Sequence, residues 1–325
     1  MVFKTRITEM LGIEYPIIQG AIQWLSRAEL VSAVSNAGGL GVISSLTFPT
    51  AKELQQEIKK TKSMTDKPFA VNVTMLPTLR PVNYEEYFTA AIIEGVNIIE
   101  TSGRSPEPYM KLLKDAKVKV MHRATRVRDI RTAERVGVDA VTIVSFEAAG
   151  HPGMEDVTSM VRIPIAVDAV KIPVIAAGGI ADARGLVAAL ALGAEGIYMG
   201  TRFLATYECN AHPTMKQAVI QAGDTSTIAF GRRTGISRCL KNAYTARHME
   251  MEASGATFDE LREYERSGDD LGGWRRIPAA LVDGNITHGS AGCGAIAGMI
   301  NEIISAGEVI RRMVEGYEAV LAKLR

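Results

Sequence analysis

Residues 173–203 read PVIAAGGIADARGLVAALALGAEGIYMGTRF, and this stretch decides the fold. An apolar run from Pro173 ends in the pair Gly178-Gly179, and Asp182 then stands where a helix N-cap would. An amphipathic stretch follows, and a second apolar run from Gly196 ends in Gly200-Thr201. This is one strand, one crossover helix and the next strand of a parallel sheet.

The same pattern extends outward in both directions. Candidate strands begin near Pro16 (PIIQGAI), Gly41 (GVISS), Phe69 (FAVNVTM), Val96 (VNIIETSG), Val118 (VKVMHRA), Ala140 (AVTIVSFEAAG), Pro173 and Gly196. Runs apolar on both faces, such as AVTIV, suit strands covered by helices. Ser26-x-x-Glu29, Thr50-x-x-Glu53 and Ser305-x-x-Glu308 have capping-box spacing, and Gly38-Gly39 and Gly137 supply permissive backbone where helices end. Eight such units predict an α/β chain folded as a (β/α)8 TIM barrel. The rival is an open doubly wound sheet. It is disfavoured because the first strand lacks GxGxxG and the glycine-rich turns come late.

Strand eight ends near Thr206, so the remaining chain exceeds what one closing helix needs. Residues 208–288 read as a small, mostly helical insertion domain over the barrel mouth, helical in AHPTMKQAVIQAG and FDELREYERSG. The barrel would then comprise 1–207 and 289–325, with Val309, Met313, Val320 and Leu324 on one stripe of a last helix.

Composition excludes several classes. The 325 residues carry 37 Lys plus Arg against 36 Asp plus Glu, a net charge of +1 that offers no field for nucleic acid or acidic lipid. The first ten residues, MVFKTRITEM, have no apolar signal region, and no run is long enough to span a bilayer. Cys209, Cys239 and Cys293 lack metal spacing and read as buried free thiols of a cytoplasmic protein. His212, His248 and His288 read as structural or solvated. HExxH and GxSxG are absent, so neither a metal site nor a serine hydrolase is expected.

In a barrel of this kind the active site lies where the strands end. There the sequence places Gln19 to Gln23, Asn72 and Thr74, Glu100 to Gly103, His122-Arg123 and Glu147 to Gly153. Two neighbouring glycine loops, Gly178-Gly179 and Gly200-Thr201, expose backbone amides as a phosphate cradle. Either pair alone could equally serve only to tighten a turn. His151, between Gly150 and Pro152-Gly153, is the candidate acid, base or hydrogen-bond donor, against the alternative of a bland surface histidine. Arg123 is either a cation facing the bound ligand or the partner of Glu100 or Glu147.

The pieces PIIQGAIQW, FAVNVTMLPT, FEAAGHPG and VIAAGGIADARGLVAALALGAEGIYMGTRFLAT with its following HP resemble the nitronate monooxygenase superfamily. The resemblance runs over nearly the whole chain and is closest to the bacterial branch of NADH:quinone reductases. It implies FMN as cofactor, NAD(P)H as co-substrate and a quinone or nitronate as small-molecule partner, with room for a homodimer. Ala21, Ile22, Gln23, Asn72 and Thr74 would line the flavin, Arg123 would stabilise its reduced form, and Ala149 and Gly150 would neighbour the ring. Ala177, Gly178, Gly179, Gly200 and Thr201 would hold the phosphate, and His151 matches the active-site histidine. Ala149 replaces a glycine usual in nitronate oxidases and enoyl reductases, which narrows the space above the flavin. Quinone reduction is the first expectation. Nitronate oxidation, enoyl-acyl-carrier-protein reduction and a flavin-free phosphate-binding barrel are the alternatives.

Overall fold

The structure is a computed structural model and describes residues 3–76, 82–266 and 276–324. Eight strands run in chain order around a ring: β1 (Ile17–Gln19), β2 (Gly41–Ser44), β3 (Phe69–Met75), β4 (Ile98–Gly103), β5 (Lys119–Ala124), β6 (Ala140–Val144), β7 (Val174–Ala177) and β8 (Gly196–Met199). Every neighbouring pair is parallel, and β8 returns to β1 through Ile17↔Ile197, Ile18↔Tyr198 and Gln19↔Met199. The ring closes between β1 and β2, where Ile18 bridges Leu40 and the Leu40 N–H donates to the Ile17 carbonyl at 2.9 Å. The fold is a (β/α)8 barrel, as expected, and each strand starts within two residues of its sequence-read position.

Alternation along the strands sorts side chains into two layers. Ile18, Val42, Ala70, Ile98, Met121, Ala140, Ile175 and Tyr198 fill the interior. Ile43, Val71, Ile99, Val120 and Val141 face the helices. The helix Arg6–Leu11 adds Ile7 and Leu11 to the interior cluster, and a Cβ at Gly196 would stand 3.3 Å from Ile7. It therefore seals the end where the strands begin, and the opposite end is the mouth.

The helix starts agree only in part with the sequence reading. Thr50 and Glu53 form the full capping box of the helix Ala51–Met64, and Asp182 caps Ala183–Ala191. Ser26 does not cap. Its hydroxyl takes the Ile22 N–H at 2.7 Å and the Gln19 amide at 2.8 Å, bracing the turn after β1, while Glu57 from the next helix accepts the Ala28 N–H at 2.7 Å. Ser305 accepts the Glu308 N–H at 3.1 Å, but Glu308 pairs with Arg311 and Arg312 instead of reaching back.

After β8 come the helices Thr201–Leu204 and Pro213–Ile220, then a hairpin of β9 (Thr227–Phe230) and β10 (Ser237–Leu240), then the helices Ala243–Ala253, Phe258–Arg266 and Arg276–Leu281. The hairpin and the helix Ala243–Ala253 were not read from sequence. The last helix, Ala306–Leu324, lies on the helices Ala183–Ala191 and Ala28–Asn36, with Val309, Ile310 and Met313 buried and Val320 half-buried. Of the expected stripe, the side chain of Leu324 lies outside the described set, as do residues Pro77 and Thr78 of the motif after β3.

Candidate active site

The floor of the mouth is a polar network inside an apolar barrel. The Tyr198 hydroxyl donates to Glu100 Oε2 at 2.9 Å, and Asn72 Nδ2 donates to the same oxygen at 2.6 Å. The Thr74 hydroxyl lies 2.8 Å from Asn72 Oδ1 and 2.9 Å from Ser102 Oγ. The Tyr198 hydroxyl also accepts the Ala21 N–H at 2.8 Å. Gly20 makes that reach sterically feasible, since a Cβ there would stand 2.7 Å from the Tyr198 ring. Arg123, the register partner of Ser102 across β4 and β5, lies with its guanidinium carbon 5.4 Å from the Tyr198 ring centroid and donates to Ser102 Oγ at 3.4 Å. Burial drives the Glu100 carboxyl up despite the opposing pull of Arg123. Tyr198 is pushed up by burial too, so it stays a neutral donor. Burial works against the charge of Arg123, but Tyr198 and Glu100 outweigh it and the guanidinium stays charged.

β7 and β8 end side by side, in register at Ala177↔Tyr198. Gly178 and Gly179 follow with φ of 98° and 74°, a left-handed conformation that favours glycine. Among the described residues no protein acceptor takes the backbone N–H of Gly179, Gly200 or Thr201. Such orphan donors suit an oxyanion. A Cβ on Gly200 would project into open space whose nearest atom is Ile22 Cγ1 at 3.9 Å. Thr201 is buried, and its hydroxyl accepts the Gly294 N–H at 3.0 Å. These free amides fit the phosphate of FMN.

The segment 145–151 leaves β6 and forms the adjoining wall. Glu147 accepts the Ser159 N–H at 3.0 Å, capping the helix Ser159–Ala169 from outside. The Glu147 carbonyl accepts the Ala295 N–H at 2.9 Å. Gly150 is bridged to Arg238 of β10. His151 is solvent-exposed, yet burial lowers its pKa, with Glu265 opposing and Arg262 and Arg123 adding to the lowering. One face of the imidazole touches water, while the protein on its other side disfavours the charged ring. The imidazole is therefore uncharged at neutral pH, and its neighbours include the barrel cation and two residues of the helix Phe258–Arg266.

The remaining sequence-read residues divide cleanly. Ala21 and Ile22 are half-buried, Gln23 and Ala149 exposed, and Ala177 buried at the root of the glycine pair. Asn72 is fully engaged below the mouth, so it supports the site from one layer down. His122 shares the outward parity of Val120 and bonds Thr101 Oγ1 at 2.9 Å, so it faces away from Arg123's side of the strand. Arg123 forms no direct ion pair with Glu100 or Glu147 among the described residues. The three cysteines are free and buried, and burial pushes Cys293 up to about 12. His248 is buried against Glu265 at 3.0 Å, His212 caps a helix, and His288 is exposed. No cluster of His, Cys, Asp and Glu among the described residues could hold a metal. No helix among them is long and apolar enough to cross a membrane.

Sequence reasoning missed Tyr198 and the loop Gly292-Cys293-Gly294, which ties Thr201 to β10. Only the run of small residues at 291–295 hinted at a close approach.

Comparison with known proteins places this architecture. The sequence profile of the nitronate monooxygenase family matches residues 4–316. A Mycobacterium tuberculosis (3aS,4S,5R,7aS)-5-hydroxy-7a-methyl-1-oxo-octahydro-1H-indene-4-carboxyl-CoA dehydrogenase is 33% identical, over 97% of this chain and 96% of its own. A probable nitronate monooxygenase of Staphylococcus aureus is 31% identical, over 88% and 90%. The solved structure of FabK from Thermotoga maritima superposes with a TM-score of 0.90 at 34% identity, covering 99% of this chain and 98% of that one. A nitroalkane oxidase of Streptomyces ansochromogenes, 24% identical with a TM-score of 0.81, shares the fold. The chain belongs to the nitronate monooxygenase family, a family of FMN-dependent oxidoreductases.

Proposed function

We propose that this chain is an NAD(P)H:quinone reductase. The observation that carries the reading is the meeting, at one barrel mouth, of a permanent cation, Arg123, with an imidazole, His151, that is neutral at physiological pH. When bound, FMN supplies hydride acceptance and donation at its N5. Gly178, Gly179, Gly200 and Thr201 would hold its phosphate through backbone amides, with Ala177 at their root. Ala21, Ile22, Gln23, Thr74, Ala149 and Gly150 would wall the ring, with Asn72 supporting Thr74. Arg123 offers positive charge where the cofactor gains electrons. His151 offers a ring N–H to an acceptor oxygen, the role a neutral imidazole can fill without first losing a proton. Residues 208–288 act as a cap that limits water at His151, since Arg262 and Glu265 from that segment act on its imidazole. The buried thiols suit a reducing cytoplasm.

A second reading, a thioester-bound substrate, has in its favour the 33% identical relative named as a CoA-ester dehydrogenase. A nitronate substrate has the Staphylococcus aureus relative in its favour. Anaerobic mixing separates the three. NADH or NADPH should bleach the flavin absorbance, and menadione should restore it. If propyl-2-nitronate bleaches the flavin while both nicotinamides leave it oxidised, the first reading fails. If crotonyl-CoA reoxidises it and menadione does not, the thioester reading replaces it. A colourless protein that gains no flavin spectrum with added FMN would leave the phosphate-binding barrel standing.

A further inference from the structure

Glu100 and Arg123 are opposite charges inside one barrel, yet they form no direct ion pair. Tyr198 stands between them. Its ring lies under the guanidinium at 5.4 Å, and its hydroxyl donates to Glu100 Oε2 at 2.9 Å. Glu100 is fully buried. Its Oε2 holds two donors, while Oε1 has no hydrogen-bond partner among the described residues. A buried carboxyl with one bare oxygen is costly as an anion, and that cost must be met by a proton or by the nearby cation. Among the described residues, Arg123 for its part has only Ser102 at 3.4 Å and the Tyr198 ring as hydrogen-bonding and stacking partners. Most of its charge is left for whatever lies above it.

We propose that Glu100 is a positioning residue for Arg123, a reserve counter-ion that releases the guanidinium to an anionic group at the mouth by taking a proton from solvent. The proposal rests on the FMN reading of the site. With oxidised flavin present the ring carries no charge, so Arg123 draws its compensation from Glu100 and favours the carboxylate. Two-electron reduction places negative charge near Arg123, removes that compensation, and Glu100 binds one proton. NAD(P)H would deliver two electrons and one proton to the flavin as hydride and leave as NAD(P)+, and the separate proton on Glu100 comes from water, so nothing further is consumed. The direction agrees with the opposed influences on the carboxyl, burial raising and Arg123 lowering.

The test is the midpoint potential of bound FMN as a function of pH, in the native holoprotein and in Glu100→Gln. One extra proton per two electrons makes the equilibrium tenfold more pH-sensitive per pH unit, a slope steeper by about 30 mV. The native protein should show that extra slope over a limited window, and Glu100→Gln should lack it. Equal slopes throughout would overturn the proposal. Tyr198→Phe is the second variant, should Glu100→Gln fail to fold. Losing the hydroxyl removes a donor to the carboxylate, so the window should move to higher pH, and an unmoved window counts against the idea. Difference infrared spectra of reduced minus oxidised native protein should show a protonated-carboxyl band. A native protein that binds no FMN overturns the functional reading along with this one. One that binds FMN but shows neither extra slope nor carboxyl band overturns this one alone.

Discussion

Gly150 and Arg238 exchange two backbone hydrogen bonds: the Arg238 N–H donates to the Gly150 carbonyl at 2.7 Å, and the Gly150 N–H returns to Arg238 at 3.1 Å. The Arg238 side chain adds a hold on the same loop, donating to the Phe146 carbonyl at 3.1 Å and lying over its ring. The inserted hairpin thus fixes the loop that presents His151. Gly150 has φ of 65°, and a Cβ there would meet nothing within 4 Å. Gly150→Ala should therefore cost only backbone strain, about 1–2 kcal/mol. The loop should relieve it by moving His151. We expect turnover to fall roughly tenfold or more, with FMN affinity falling by less than that. Steady-state rates set beside a flavin-fluorescence titration check both halves. Unchanged turnover would show that the clamp does not position His151.

His151→Ala should lower turnover by about 100-fold or more while FMN still binds. The lowered pKa of the imidazole also fixes the sign of the pH dependence. The neutral form persists below the ordinary histidine range, so kcat/KM for quinone should stay level there and decline only further into acid. A pH–rate profile that breaks at the ordinary histidine value would refute a neutral donor.

The glycine loops can be filled. Gly179 has φ of 74°, and a Cβ there would stand 3.0 Å from Ser159 Oγ. Gly200→Val would place a branched side chain in the open space beside Ile22. Each change should weaken FMN binding by at least about tenfold, the equivalent of roughly 1.4 kcal/mol, while thermal unfolding of the apoprotein moves less for Gly200→Val than for Gly179→Ala. Titration of apoprotein with FMN reads the first effect. Full affinity in Gly200→Val would remove the cradle.

His122 sets an acid limit on stability. Burial pushes its pKa down to about 4, so the folded chain favours the neutral ring. The unfolded chain takes its proton near the ordinary value of 6.5. Stability from this group is therefore present above about 6.5 and is lost as pH falls toward 4, on the order of 3 kcal/mol in all. Urea unfolding at a series of pH values should show this slope in the native protein and a flatter one in His122→Gln. A parallel slope in both would assign the acid sensitivity elsewhere.

The barrel was legible because its evidence is local. Each strand is a short apolar run, each crossover a periodic stretch with glycine or a capping residue at its ends, and the late glycine pairs mark the ends of β7 and β8 without any long-range information. The Thr50 cap was readable for the same reason. Ser26 was not, because the spacing of a capping box is also the spacing of a turn brace, and only the proximity of Gln19 and Glu57 decides between them.

What the sequence alone determined is therefore the order and register-scale placement of the eight strands, and with them the rim on which Arg123, His151, Gly178-Gly179 and Gly200-Thr201 stand. The tertiary structure decided which way the rim faces. Strands apolar on both sides carry no alternation to mark the inside, so nothing in VKVMHRA says that Arg123 turns inward and His122 outward. The contact of Tyr198 with Glu100, 98 residues apart, and the clamp of Gly150 by Arg238 are decisions of the same kind. They depend on strands meeting across a closed ring and on the hairpin of β9 and β10 reaching the loop after β6, and hydrogen bonds between such distant residues leave no periodicity in the chain.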